Sequence, residues 1–150
     1  MKPFLKYSLF ILVVCFFLPS WSQPMPTNQY QLDEKRLEHA KETIRLYGNQ
    51  IPAQAQKNIL EQRVTLGMSP YEARLAGGAF FFKVIADPKN WPKNPDPYDV
   101  MWAQSTHPDN SEIWMTFETA TQFPDEGIQR FQVYFIQGKA AQINKVNVEK

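Results

Sequence analysis

Residues 131–139 read Phe-Gln-Val-Tyr-Phe-Ile-Gln-Gly-Lys. Side chains alternate across a strand, so Phe131, Val133 and Phe135 share one face, and Gln132, Tyr134 and Ile136 the other. Gln137-Gly138-Lys139 then supplies a hairpin turn into a last strand near Ala140 to Val146. The same period runs through Ile113, Met115 and Phe117, alternating with Trp114, Thr116 and Glu118. It begins after Ala79, where Phe80, Phe82 and Val84 oppose Phe81 and Lys83. A weaker strand is expected over Val100 to Ser105.

Before these strands the period is helical. Leu37, Ala40, Ile44 and Tyr47 recur at helical spacing among charged residues, predicting a helix from about Asn28 or Gln31 to Tyr47, with Gly48 as a left-handed stop. His39 rides on this helix and reads as a solvated or half-buried residue rather than a ligand. Pro52 opens a second helix through Gln62, with Ala55, Ile59 and Leu60 apolar. Ser69-Pro70-Tyr71-Glu72 combines an N-cap serine, a first-turn proline and a glutamate three residues on. That is a capping box for a short helix ending at Gly77-Gly78. Helices first and strands after, with no repeated βαβ pattern, give an α+β fold. N-terminal helices pack on one face of an antiparallel sheet of about four to five strands.

The N-terminus addresses the chain. Lys2 and Lys6 precede an apolar run from Leu9 to Leu18, followed by Pro19, Ser20 and Ser22. This is the layout of a secretory signal peptide, with cleavage expected after Ser22. The run is shorter than the roughly 20 residues of a membrane span. The expected organisation is signal peptide 1–22, flexible leader 23–29 and a single α+β domain 30–150. The exported domain would be periplasmic or secreted, with no integral membrane span. Cys15, the only cysteine, falls inside the signal. Val14 stands where a lipid-attachment site wants a small residue, so Cys15 reads as part of the apolar signal core. The mature domain would have no disulfide and would depend on core packing.

Removing Lys2 and Lys6 from 16 basic residues against 15 acidic ones leaves a net charge of about −1. No basic block exists, which argues against a nucleic-acid partner. Without mature cysteine, thiol and cysteine-metal chemistry drop out. No glycine-rich phosphate loop or serine-centred elbow occurs. Neither a metal nor a cofactor is expected. Thr106-His107-Pro108-Asp109-Asn110-Ser111-Glu112 gathers polar groups that could bind a metal or form an acid–base pair. Its composition equally suits a turn between strands.

The aromatic residues offer another site. Ala86 to Asp99 carries prolines at 88, 92, 95 and 97, too many for a central helix or strand. Long connections in compact domains are often functional. Trp91, Tyr98, Trp102 and Trp114 surround this loop in sequence and form the expected partner-binding set. Trp91 has no apolar periodicity to bury it; it either anchors a partner or plugs the core edge. Trp114 lies opposite the core residues of its strand, under a helix or on an exposed face.

Val64-Thr65-Leu66-Gly67-Met68-Ser69, followed by Glu72 and Gly78, resembles the helix start of the SmpA/OmlA (BamE-like) family of outer-membrane assembly lipoproteins. Phe131 to Lys139, then Ile143, resembles that family's closing hairpin. The likeness covers about residues 59–146, with Gly67, Ser69, Glu72, Gly78 and Gly138 as structural positions. It implies a helix pair on an antiparallel sheet that holds other envelope proteins together, without catalytic residues. The chain departs from the pattern at Ala76, Gly77 and Phe80, in the loop at 86–99, and in lacking a lipid-bearing cysteine at the mature N-terminus. The architecture also resembles periplasmic inhibitor modules. The expected function is therefore a non-enzymatic exported protein that binds an envelope protein partner, with outer-membrane or envelope assembly as the setting the resemblance implies. The alternatives are a small module for an envelope glycan or peptide, a periplasmic inhibitor of another enzyme, and an enzyme around His107 and Asp109.

Mass spectrometry of the exported protein should find a chain beginning near Gln23 without acyl mass. A retained Met1 or an acylated Cys15 would contradict this reading.

Overall fold

The computed structural model describes residues 33–147. The expected signal peptide, leader and any helix start at 28–32 lie outside the described residues. Within them the fold is α+β. Four helices, α1 (Glu34–Tyr47), α2 (Ala53–Leu60), α3 (Pro70–Gly77) and α4 (Pro97–Thr106), accompany strands β1 (Phe81–Ile85), β2 (Glu112–Thr119), β3 (Gln129–Ile136) and β4 (Lys139–Lys145). The strands form one antiparallel sheet in the order β1-β2-β3-β4.

The alternation of β2 and β3 sets the core. Ile113, Met115 and Phe117 pair with Phe135, Val133 and Phe131, and all six side chains are buried. Phe117 and Phe131 stack with ring centroids 5.1 Å apart. Phe82 and Val84 of β1 add to this face, partly buried. Ile59, Leu75, Ala76 and Met101 close the cluster from the helices, with Ile44 packed against it. The strand faces read from the sequence meet in this cluster; Leu37, placed on the apolar face of the first helix, stands outside it, half-exposed, while Ala40 and Thr43 are the buried residues of α1.

Helix α3 has the expected cap. The Ser69 hydroxyl accepts from Glu72 N–H at 3.2 Å, and the Glu72 carboxylate accepts from Ser69 N–H at 2.8 Å. Gly78, at φ +63, ends the helix left-handed. The preceding loop is tied to the last strand: Gly67 N–H donates to Ala140 C=O, and Ala140 N–H to Met68 C=O. At the closing hairpin Gln137 and Gly138 both have positive φ. That is the type I′ geometry matching strand twist. A Cβ on Gly138 would collide with Gln104 C=O of α4, so the turn docks where only glycine fits.

Several elements correct the sequence reading. Val100 to Ser105 belongs to helix α4, not to a strand, so the sheet has four strands. Asp96 caps this helix by accepting from Tyr98 N–H, and Pro97 occupies its first turn. The loop from Ala86 therefore ends at Asp96. Gly48 is right-handed, at φ −60, because the chain runs on into a 3₁₀ turn, Gly48–Gln50. Asp33 caps α1 by accepting from Arg36 N–H, so the helix starts at Glu34. Pro52 is the cap of α2 rather than its first residue, and the helix stops at Leu60. Phe80 precedes β1 and is exposed, with Arg130 over its ring, rather than sharing the core face with Phe82.

Phe117→Ala removes a fully buried ring between α3 and β3. It should lower stability by about 3–5 kcal/mol, read from the urea midpoint.

Candidate functional site

The loop between β1 and α4 is stiffened by Pro88, Pro92 and Pro95 and fastened twice along its first half, at residues 87–91. Asp87 is buried: its N–H donates to the Ser111 hydroxyl at 2.8 Å, and its carboxylate accepts from Lys89 N–H and from the Asn110 amide. Backbone N–H groups of Asn90 and Trp91 donate to Asp87 C=O at 3.0 Å. The second fastening is Asp109. One carboxylate oxygen accepts from Trp91 Nε1 at 2.9 Å and Asn90 Nδ2 at 3.2 Å. The other accepts from Ser111 N–H at 2.7 Å and from the buried Gln104 amide. Burial pushes this carboxyl upward, but hydrogen bonding from Ser111, Trp91 and Asn90 outweighs it and holds the pKa below the ordinary aspartate value.

The fastened loop walls an open groove of about 540 Å³. Its lining includes Val84, Pro88, Trp91, Pro95 and Pro97, with Lys93 and Asn94 as its polar side chains. The volume falls within the roughly 300–1,000 Å³ typical of ligand sites. Trp91 is half-buried, with its N–H committed to Asp109. Its ring lines the groove.

Of the predicted aromatic set, three residues lie along the helical side of the molecule. Tyr98 packs edge-on against Phe82, two positions from Val84 on the same strand face, with Arg74 over its ring. Trp102, one helical turn further, meets Tyr71 edge-on at 5.0 Å. Tyr98 and Trp102 are 52% and 55% exposed. Trp114 does not join them. It lies on the opposite sheet face, beside Tyr134 at 4.9 Å and under the Lys83 ammonium. Desolvation, with a hydrogen bond to Glu112, pushes the Tyr134 phenol upward.

The turn at 106–112 connects a helix to a strand. His107 is exposed, and its backbone N–H caps α4 on Ala103 C=O. The donors on Asp109 come from Gln104, Ser111, Trp91 and Asn90, not from His107. A carboxylate so saturated is a poor proton acceptor. His39 is exposed on α1. Among the described residues, no group of three His, Cys, Asp or Glu side chains is placed to hold a metal ion. No helix of the described residues is long and apolar enough to cross a membrane.

Sequence reasoning missed Asp109, Asp87 and Gln104 as the residues that hold the loop, and Lys93 as a groove residue. The local part of the signal was present: Asp87-Pro88-Lys89 and Asp109-Asn110-Ser111 have the spacing for a carboxylate to accept from the N–H two residues on. The pairing of Trp91 with Asp109, 18 residues away, has no local signature. No family model matches the chain, and no curated protein or solved structure matches it either.

Because folding lowers the Asp109 pKa, the carboxylate contributes stability above the unfolded aspartate value near about 3.9. That contribution is lost as pH falls through the lower folded value. Asp109→Asn should cost about 1–3 kcal/mol at pH 7, by leaving bonded donors without an anion. It should also flatten the acid limb of a stability–pH profile measured by urea unfolding. An unaltered midpoint at pH 7 would mean that the carboxylate does not hold the loop.

Proposed function

We propose that this chain is an exported, non-enzymatic envelope protein that binds a protein partner through the groove walled by Trp91. The observation that carries the reading is the fastening, by two aspartates, of a proline-stiffened loop that lays Trp91 and prolines along the groove. Ordering a loop in advance lowers the conformational cost of association. Tyr98 and Trp102 extend the same side with exposed aromatic area, which is typical of binding anchors. The engagement of Asp109 with loop donors weighs against acid–base chemistry at the 106–112 turn.

Export to the cell envelope rests on the Lys2-to-Ser22 signal pattern. A SmpA/OmlA-like role in envelope assembly rests on the capping-box segment and the closing hairpin. Their mutual backbone bonds, Gly67 to Ala140 and Ala140 to Met68, make the two resembling segments one unit. A second reading, a module for an envelope glycan or peptide, draws on the exposed rings of Tyr98 and Trp102.

Capture of a partner from envelope extract by the purified protein tests the proposal. Trp91→Ala should weaken binding by more than about 1 kcal/mol. The lost indole hydrogen bond to a carboxylate should lower stability by about 1–3 kcal/mol, so binding is compared under conditions where both proteins are folded. His107→Ala should alter neither. Undiminished capture by Trp91→Ala would remove the groove from the proposal. Binding lost only in Tyr98→Ala and Trp102→Ala, and competed by soluble envelope glycan, would favour the second reading.

A further inference from the structure

We propose that the occupant of this groove is the carboxyl end of a polypeptide whose last side chain is apolar. This inference rests on the reading of the groove as the partner site. The chemistry of its wall defines the ligand. Val84, Pro88, Trp91, Pro95 and Pro97 offer carbon surface, and the Trp91 N–H faces Asp109 and is unavailable. The polar side chains of the wall are Lys93 and Asn94, adjacent in the chain. Both are exposed, and neither has an ion pair or side-chain hydrogen bond among the described residues. Lysine offers only donors. No acidic side chain lines the groove; Asp96, next to Pro95, caps α4 through Tyr98 N–H.

An apolar wall with its one ionic group a cation matches an apolar residue that carries a carboxylate. Such an end accepts charge-assisted hydrogen bonds and donates none from the carboxylate. The surroundings favour a polypeptide over a small free acid. The groove is open rather than enclosed, and Val84 belongs to β1, an outer strand that pairs only with β2. The unpaired edge of an outer strand offers backbone donors and acceptors to an extended chain. A peptide can thus place its last side chain on the prolines and Trp91, set its carboxylate at Lys93, and continue outward beside β1.

The test titrates the purified protein with acetylated tetrapeptides ending in leucine or phenylalanine, as free acids and as carboxamides, by isothermal calorimetry. The free acids should bind at least about tenfold more tightly than the amides. Lys93→Gln should remove that difference while leaving the unfolding midpoint unchanged. Equal affinity for acid and amide, a preference that survives Lys93→Gln, or no binding of either peptide would overturn the inference. So would an alkyl carboxylate of similar apolar size binding as tightly as the peptide acid. The fate of the broader reading is read separately. If Trp91→Ala loses partner capture while Lys93→Gln and excess peptide acid leave it intact, the groove is the partner site but its occupant is not a carboxyl end. If Trp91→Ala captures normally, the partner-site reading itself fails.

Discussion

Helix α3 is seated on the sheet through a close approach of Gly77 to Phe117 of β2. A Cβ at Gly77 would lie 2.6 Å from Phe117 Cδ1 and 2.9 Å from Val64 Cγ2. No other residue type fits without displacing either α3 or the central aromatic stack. The contact explains why a glycine stands inside the last turn of a helix, where it otherwise costs about 1 kcal/mol. The next residue, Gly78, takes φ +63 and turns the chain into β1, with Arg36 packed against it. Two successive glycines thus do different work, one steric and one conformational. Together they fix how far β1 begins from the core, and β1 supplies Val84 to the groove.

A second set of constraints is polar and buried. The Gln122 amide bonds both the N–H and the C=O of Val64 at 2.8 Å. Thr121 donates to Gln62 C=O, and the Gln62 amide bonds both N–H and C=O of Asp33. These amides act as surrogate strand neighbours, satisfying backbone groups that a loop would otherwise leave bare. They join the start of α1, the segment after α2 and the β2–β3 loop at one end of the sheet. The described residues contain no cysteine, and fastening at this end comes from amides and hydroxyls.

The strands were legible because their burial is one-sided. Met115, Phe117, Val133 and Phe135 alternate cleanly with polar or half-buried residues, and a half-buried antiparallel sheet leaves that trace. Helix α3 was legible because its cap is wholly local. Helix α4 was misread for a physical reason. It is apolar on two sides: Val100 and Met101 face the core, whereas Tyr98 and Trp102 remain exposed. Mixed faces erase the helical period, and the decisive signal was Asp96-Pro97, the same cap-and-proline pattern as Ser69-Pro70. The groove was half legible. Composition marked the loop and Trp91, but Asp109 reaches it through tertiary structure. Trp114 was grouped with the loop by sequence proximity, and one strand's alternation sends it to the far face.

The groove depends on packing well beyond its own loop. Asp109 follows α4 by a short turn, and that turn is pressed by the hairpin between β3 and β4. A Cβ on Gly138 would meet both Gln104 C=O and Pro108 Cβ. The side chain of Gln104, fully buried, spends its amide N–H on Asp109 and leaves its own carbonyl oxygen without a protein partner among the described residues. An unsatisfied buried acceptor costs about 1–3 kcal/mol. A glutamine kept for packing alone would be better replaced by a methionine of similar volume. The amide N–H instead serves to orient the Asp109 carboxylate. The order of dependence is then hairpin, α4 terminus, Gln104, Asp109, Trp91. The groove wall is held at the end of a chain of contacts that starts in the β3–β4 hairpin, so its order derives from the packing of the sheet against α4 as well as from the prolines.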